Sequence, residues 1–224
     1  MPKPDRRKKT DAAKILIVDD HPVVRDGLTV HIATQQDLVV CGEAEDLAEA
    51  AALVETLQPD VAIVDISLKT GNGIELIQRI RANNDKVRIL VWSMYPESLY
   101  AERALRAGAQ GYLHKSQATR ELLGAIRSVL AGKLYFSVEL TDNLLNQAVG
   151  RKALDRSPME RLSAREMEAF ELIGQGMTTA QIARRMHISP KTLATYRSRI
   201  KEKLNLANVN ELIQRATRWM IEMS

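Results

Sequence analysis

Asp19, Asp20 and Asp65 are three carboxylates, Ser93 is a hydroxyl and Lys115 an ammonium, and each stands at the end of a short apolar run. Brought together, three carboxylates repel one another and raise each other's pKa, so the group is tolerable only with cations present. A divalent ion with hard oxygen ligands, Mg2+ above all, meets that need, and Lys115 supplies the remaining positive charge. His21 follows the acid pair and is weighed as a metal ligand, but four scattered histidines make no metal spacing and the carboxylates are preferred.

What must position these groups is a parallel sheet. Val61-Ala62-Ile63-Val64 is apolar, β-branched and bounded by Gln58-Pro59-Asp60 and Thr70-Gly71-Asn72-Gly73, which reads as a buried strand stopping at Asp65. Lys14 to Val18 ends in Asp19-Asp20, Leu38 to Gly42 makes a further strand, Val87 to Trp92 ends in Ser93, and Gly111 to His114 ends in Lys115. Helical patterns fall between them at about Pro22 to Ala33, Leu47 to Leu57, Gly73 to Ala82, Glu97 to Ala107 and Ala118 to Leu130. Strands alternating with helices predict an α/β fold, a doubly wound parallel sheet with right-handed crossovers. In such a sheet the carboxyl ends of the strands form the ligand crevice, which is where all five groups would lie.

The five positions together resemble a CheY-like receiver domain of a two-component response regulator. The resemblance implies the strand order 2-1-3-4-5 and makes Asp65 the acceptor of a phosphoryl group from a histidine kinase or phosphotransfer protein. Asp19, Asp20, Asp65 and the backbone carbonyl of Ser67 would hold Mg2+, Lys115 would pair with the phosphoryl oxygens, and Ser93 would move to hydrogen-bond them. Tyr112, three residues before the lysine, matches the aromatic that swings inward on activation. Lys69 stands where many receivers carry proline, and Met94 follows Ser93 where a small residue is usual.

At 224 residues the chain suits two ordinary domains. No run of 18 apolar residues exists and the N-terminus lacks a hydrophobic signal core, so no membrane association and a cytoplasmic location are expected. The single cysteine, Cys41, sits among Leu38-Val39-Val40 and reads as a structural thiol. Net charge is +4 but unevenly spread: residues 14 to 131 carry 12 Lys and Arg against 16 Asp and Glu, whereas residues 151 to 224 carry 14 against 8. A basic second half behind an acidic first half points to a nucleic-acid partner for the former. The predicted domains are a disordered basic tail over 1–13, the receiver over 14–131, a linker over 132–157 and an α-helical domain over 158–224. Within the linker, Leu140, Leu144, Leu145 and Ala148 fall at helical spacing, and Gly150 to Pro158 reads as the flexible joint.

From Leu162 the pattern is helical. Ser163-Ala-Arg-Glu166 is a capping-box match, followed by a buried face of Met167, Phe170 and Ile173. A second helix starts at Thr178 or Thr179, and Ser189-Pro190 opens a third, basic one running to Leu204; a fourth spans about Val209 to Met220. Two short helices joined by a tight turn, the second basic, describe a helix-turn-helix unit. Leu162-Ser-Ala-Arg-Glu166, Gly176-Met-Thr-Thr-Ala-Gln-Ile-Ala183, Ile188-Ser-Pro-Lys-Thr-Leu193 and Ile200-Lys-Glu-Lys-Leu204 resemble the LuxR-type four-helix domain of NarL/FixJ regulators. On the third helix Leu193, Ile200 and Leu204 should face inward. Lys191, Arg197, Lys201 and Lys203 are expected to meet DNA phosphates, and Thr195, Ser198 and Arg199 to read bases, with Thr192 and Tyr196 completing the DNA-binding set. Ala194 and Tyr196 depart from the lysine and histidine more common there.

Taken together, the expected function is a phosphorylation-controlled regulator that binds double-stranded DNA, as a homodimer when active, and is not an enzyme. A constitutive DNA-binding dimer would typically have lost Asp65, Lys115 or an acid-pair member. A Mg2+-dependent phosphotransferase using Asp65 as nucleophile would need a second general acid and a cap domain that the sequence does not offer.

Overall fold

The computed structural model describes residues 12–148 and 158–222. The expected basic tail and flexible joint fall almost wholly outside the described residues. Strands β1 (Ala13–Val18), β2 (Leu38–Ala44), β3 (Val61–Val64), β4 (Arg88–Ser93) and β5 (Gly111–His114) form one parallel sheet in the order β2-β1-β3-β4-β5. The intervening helices are α1 (Pro22–Ala33), α2 (Leu47–Leu57), α3 (Gly73–Asn83), α4 (Glu97–Ala107) and α5 (Thr119–Leu130).

Side chains alternate across a strand, and β1 shows what that does here. Ile15 and Ile17 face α1 and α5 in a cluster with Leu28, Ile32, Ile63, Leu122 and Ile126. Leu16 and Val18 face the other way, with Val54, Val64, Ile77 and Ala104. Both faces are covered, which is why the strands read as continuous apolar runs; each such side chain fully buried stabilises the fold by about 1.5–3 kcal/mol.

The helices start where local chemistry permits. Asp46 caps α2 by accepting from the Glu49 amide, Asn72 caps α3 by accepting from Ile74, and Pro22 opens α1, where its missing N–H costs nothing. Gly73 is a steric necessity: a Cβ there would meet the Asp65 carbonyl oxygen at 2.1 Å, so α3 can begin directly beneath the end of β3 only without a side chain.

One feature was not in the sequence reading. The stretch after α5 adds to the sheet edge: Tyr112 donates to the Tyr135 carbonyl and Tyr135 to that of Gln110, each at 2.8 Å. It then enters α6 (Val138–Ala148), which lies against α4, with the Ser137 amide donating to Glu97 at 2.7 Å. The segment from Tyr135 through α6 is thus packed onto the first domain.

A short 3-10 turn (Pro158–Arg161) leads into α7 (Ala164–Gly174), α8 (Thr179–Arg185), α9 (Pro190–Leu204) and α10 (Val209–Glu222). Ser163 with Glu166, and Thr178 with Gln181, form reciprocal capping boxes at α7 and α8, and Ser189 caps α9. Phe170 and Trp219 pack edge to face, ring centroids 5.8 Å apart, where α7 meets α10. The apolar cluster on the α2–α4 side of the sheet runs without a break into Met159, Leu162, Met167 and Phe170, so the two domains share packing. Among the described residues, no helix is long and apolar enough to cross a membrane.

Candidate acidic site and nucleic-acid interface

Val18 lies opposite Val64 and Val64 opposite Val91, so β1, β3 and β4 leave the sheet together at one rim. Asp19, Asp65 and Ser93 therefore converge. Lys115 Nζ hydrogen-bonds Asp65 and lies 2.6 Å from Asp19 Oδ2, while Ser93 Oγ donates to Asp65 Oδ1 at 2.5 Å. Asp19 and Asp65 are 2% and 4% exposed, so the cluster is withheld from bulk water. Burial raises the Asp65 pKa; Lys115 opposes that rise and the Asp19 charge adds to it. Burial works against the Lys115 charge as well, but Asp65 and Asp19 outweigh it and the ammonium is held more firmly than usual.

Ligand atoms of Asp19, Asp20, His21 and Asp65 all lie within 4.8 Å of one another, an arrangement able to hold a metal ion. His21, set aside from sequence, sits 2.7 Å from Asp20 Oδ1 and 3.3 Å from Asp19 Oδ1 through its Nδ1. Ser67 follows in the same loop, its amide directed at Asp65 Oδ1 from 3.4 Å.

Tyr112 is 1% exposed and its hydroxyl donates to the Tyr95 carbonyl at 2.8 Å. The ring of this tyrosine lies inside the fold, and Ser93 is bonded to Asp65. Tyr95 in turn packs on Tyr100, centroids 4.7 Å apart. Cys41 is half-buried beside the core, and burial raises the pKa of its thiol.

In the second domain α9 follows its expected faces: Leu193 and Ile200 are fully buried, and Lys191, Thr195, Ser198 and Arg199 are exposed. Thr192 is half-buried at the cap, its amide donating to Ser189. Tyr196, Arg197 and Lys201 are half-buried, and Arg197 donates to Thr179 Oγ1 on α8 at 2.9 Å. Lys203 has a partner within the protein: its Nζ lies 2.6 Å from Glu166 Oε2, a carboxylate 3% exposed, an ion pair that ties α9 to α7. The sequence around Lys203 gave no sign of that partner.

The reading helix is not wholly open. A cleft of about 480 Å3 between the domains is lined by Ile74, Glu75 and Arg103 on one side and Arg165, Tyr196 and Arg199 on the other. Across the interface Asn72 donates to Glu168 at 3.3 Å, and Arg103 donates to the carbonyls of Met159 and Leu162 at 2.7 and 3.1 Å. Residues Arg165 to Ile173 of α7 are all buried, because its polar side, Glu168 and Glu171 included, lies under the first domain. These acids carried no functional signal in the sequence.

A receiver sheet with its acid pocket, joined to a four-helix DNA-binding unit, is the architecture the geometry defines. Comparison with known proteins agrees with it. Residues 15–127 match the response regulator receiver domain, and residues 160–216 the bacterial regulatory proteins of the luxR family. The oxygen regulatory protein NreC of Staphylococcus haemolyticus is 36% identical over 208 residues, covering 91% of this chain and 96% of that one. A LuxR-family two-component response regulator from Aurantimonas sp. is 36% identical, with a TM-score of 0.56 over 62% of this chain and 99% of that one. RcsB of Salmonella enterica serovar Typhimurium, solved bound to the promoter rprA in the presence of the phosphomimetic BeF3-, is 26% identical with a TM-score of 0.61, covering 92% and 99%. The chain belongs to the response regulators that join a receiver to a LuxR-type DNA-binding domain, and is a transcription regulator under phosphorylation control.

Proposed function

We propose that Asp65 takes a phosphoryl group from the phosphohistidine of a histidine kinase or phosphotransfer protein. A carboxylate oxygen of Asp65 attacks phosphorus, the P–O bond forms as the P–N bond breaks, and the departing imidazole takes a proton from water. The single observation carrying this is the convergence of Asp19, Asp65, Ser93 and Lys115 within hydrogen-bond distance at one rim. Three carboxylates against one lysine leave an excess of negative charge, and their hard oxygen donors suit Mg2+, held by Asp19, Asp20, Asp65 and the Ser67 carbonyl. Bound there, the ion would neutralise charge on the phosphoryl oxygens.

Lys115 and Ser93 would turn from the free carboxylates to the new phosphoryl oxygens, a group bringing about −1.5 to −2 charges. Ser93 adjoins the loop whose Tyr95 accepts from Tyr112 and packs on Tyr100 at the domain interface, so the loop gives a continuous packed route from Asp65 to α7. Release of the second domain would uncover Tyr196 and let two copies place their α9 helices in the major groove of double-stranded DNA as a homodimer. Lys191 and Lys201 would contact phosphates, with Arg197, Thr192 and Tyr196 beside them; Thr195, Ser198 and Arg199 would read bases. That the relative RcsB was solved bound to a promoter supports DNA as the partner of this domain. A DNA reader of this kind works in the cytoplasm.

Incubation with a small phosphodonor and Mg2+ tests the chemistry. One hydroxylamine-sensitive phosphoryl group per chain, slowly lost and absent from Asp65→Asn, is expected. Continuous turnover of added phosphoesters would contradict it.

A further inference from the structure

The face that α7 turns toward the receiver is acidic, yet it is buried. Glu168 and Glu171 are 3% and 4% exposed. Glu168 has partners: Arg165 at 3.1 Å on its own helix and Asn72 at 3.3 Å from the receiver. Glu171 is worse provided for. Among the described residues its Oε1 has no hydrogen-bond partner, and its Oε1 and the Tyr100 hydroxyl are both enclosed. The groups that act on it are Tyr100 and Arg103 from α4, and Glu168 from one turn earlier on α7. Tyr95, from the β4–α4 loop, stands close enough for both glutamates and Arg185 of α8 to act on its own hydroxyl. Arg103 spans the face of Tyr100 at 5.7 Å and donates to three backbone carbonyls, of Leu99, Met159 and Leu162, so its charge is shared among several demands.

A carboxylate so enclosed is costly when charged and tolerable when neutral. We propose that this interface is a proton-operated latch: the domains close with the Glu171 carboxyl protonated and part when it ionises. This latch acts on the closed arrangement itself and does not depend on phosphorylation of Asp65, so it gives the same DNA-reading helix a second input.

The direction follows from linkage. In the closed molecule burial, with Glu168 adding to it, pushes the Glu171 carboxyl up to about 8. In the open molecule the same carboxyl faces water and returns toward its ordinary value of 4.5. Closing therefore takes up a proton between those two values, and the closing equilibrium weakens by up to about tenfold per pH unit across that window. Below it the latch is fully favourable; above about 8 no further loss occurs. Glu168 shifts in the same direction because of burial, but Arg165 and Asn72 support its charged form, so it contributes less.

The test uses the full unphosphorylated chain, with its radius of gyration followed by small-angle X-ray scattering from pH 6 to 9 at constant ionic strength. The wild type is expected to expand as pH rises. Glu171→Gln, which keeps the shape without the charge, is expected to stay compact throughout, with unchanged circular dichroism as the check on folding. Glu168→Gln, as a second variant, should expand with pH as the wild type does. A wild type of constant dimensions, or a Glu171→Gln protein that expands over the same interval, overturns the latch. Either failure leaves labelling of Asp65 untouched, so the two proposals are judged separately.

Discussion

Lys115 and Asp19 lie 96 residues apart in sequence and 2.6 Å apart in space, with Asp65 sharing the same ammonium. Only a parallel sheet that ends β1, β3 and β5 at one rim could bring them together. Removing the lysine by Lys115→Met leaves two buried carboxylates facing each other. Loss of one partner from a buried ion pair costs about 3–5 kcal/mol. Urea denaturation should show a stability loss of this order, reduced at low pH where the carboxyls can protonate.

A metal bound to the native acid pocket stabilises the fold by mass action. At about a hundred times its dissociation constant a ligand adds roughly 2.7 kcal/mol. Added Mg2+ should raise the thermal midpoint of the wild type. The same addition should do little for Asp19→Asn with Asp20→Asn, measured side by side by scanning calorimetry.

Tyr112 connects the pocket to the interface through the Tyr95 carbonyl. Tyr112→Phe removes that hydrogen bond, worth about 0.5–1.5 kcal/mol, and leaves the carbonyl short of a partner. Phosphoryl incorporation should be unchanged while the gain in DNA affinity on phosphorylation shrinks. Equal shrinkage of both would show the residue acts on the chemistry instead.

The α9 cations separate into two kinds. Lys191 is exposed, and Lys191→Ala should lower the slope of log affinity against log salt by about 1 without changing sequence preference. Arg199→Ala should relax discrimination between sites, by about 1–3 kcal/mol at the base it reads. Lys203→Ala should instead lower the thermal midpoint, since its partner Glu166 is buried, and leave the salt slope alone.

Phe170 is fully buried against Trp219. Phe170→Ala should cost about 3–5 kcal/mol and shift the Trp219 emission as α7 and α10 separate. Chemical denaturation followed by tryptophan fluorescence checks both.

Much of this fold is legible in the sequence. Apolar runs ending at Asp65, Ser93 and Lys115 announced the strands and their shared rim, because a strand buried on both faces needs unbroken apolar residues and its chemistry falls at the ends. Caps at Ser163 and Ser189 marked helix starts for equally local reasons. What stayed hidden was non-local. Glu168 and Glu171 look like a solvated helix side until another domain covers them, and Lys203 looks like a phosphate contact until α7 brings Glu166 beneath it. Tyr135 gave no hint of joining the sheet edge, since its pairing is made by backbone atoms that carry no sequence signature.

The most direct test of the central claim is the affinity of the full chain for its DNA site before and after beryllofluoride with Mg2+, for wild type and Asp65→Asn. Wild-type binding is expected to tighten severalfold, and Asp65→Asn is expected not to respond. Equal affinity of the wild type in both states, or an equal response by Asp65→Asn, would contradict it.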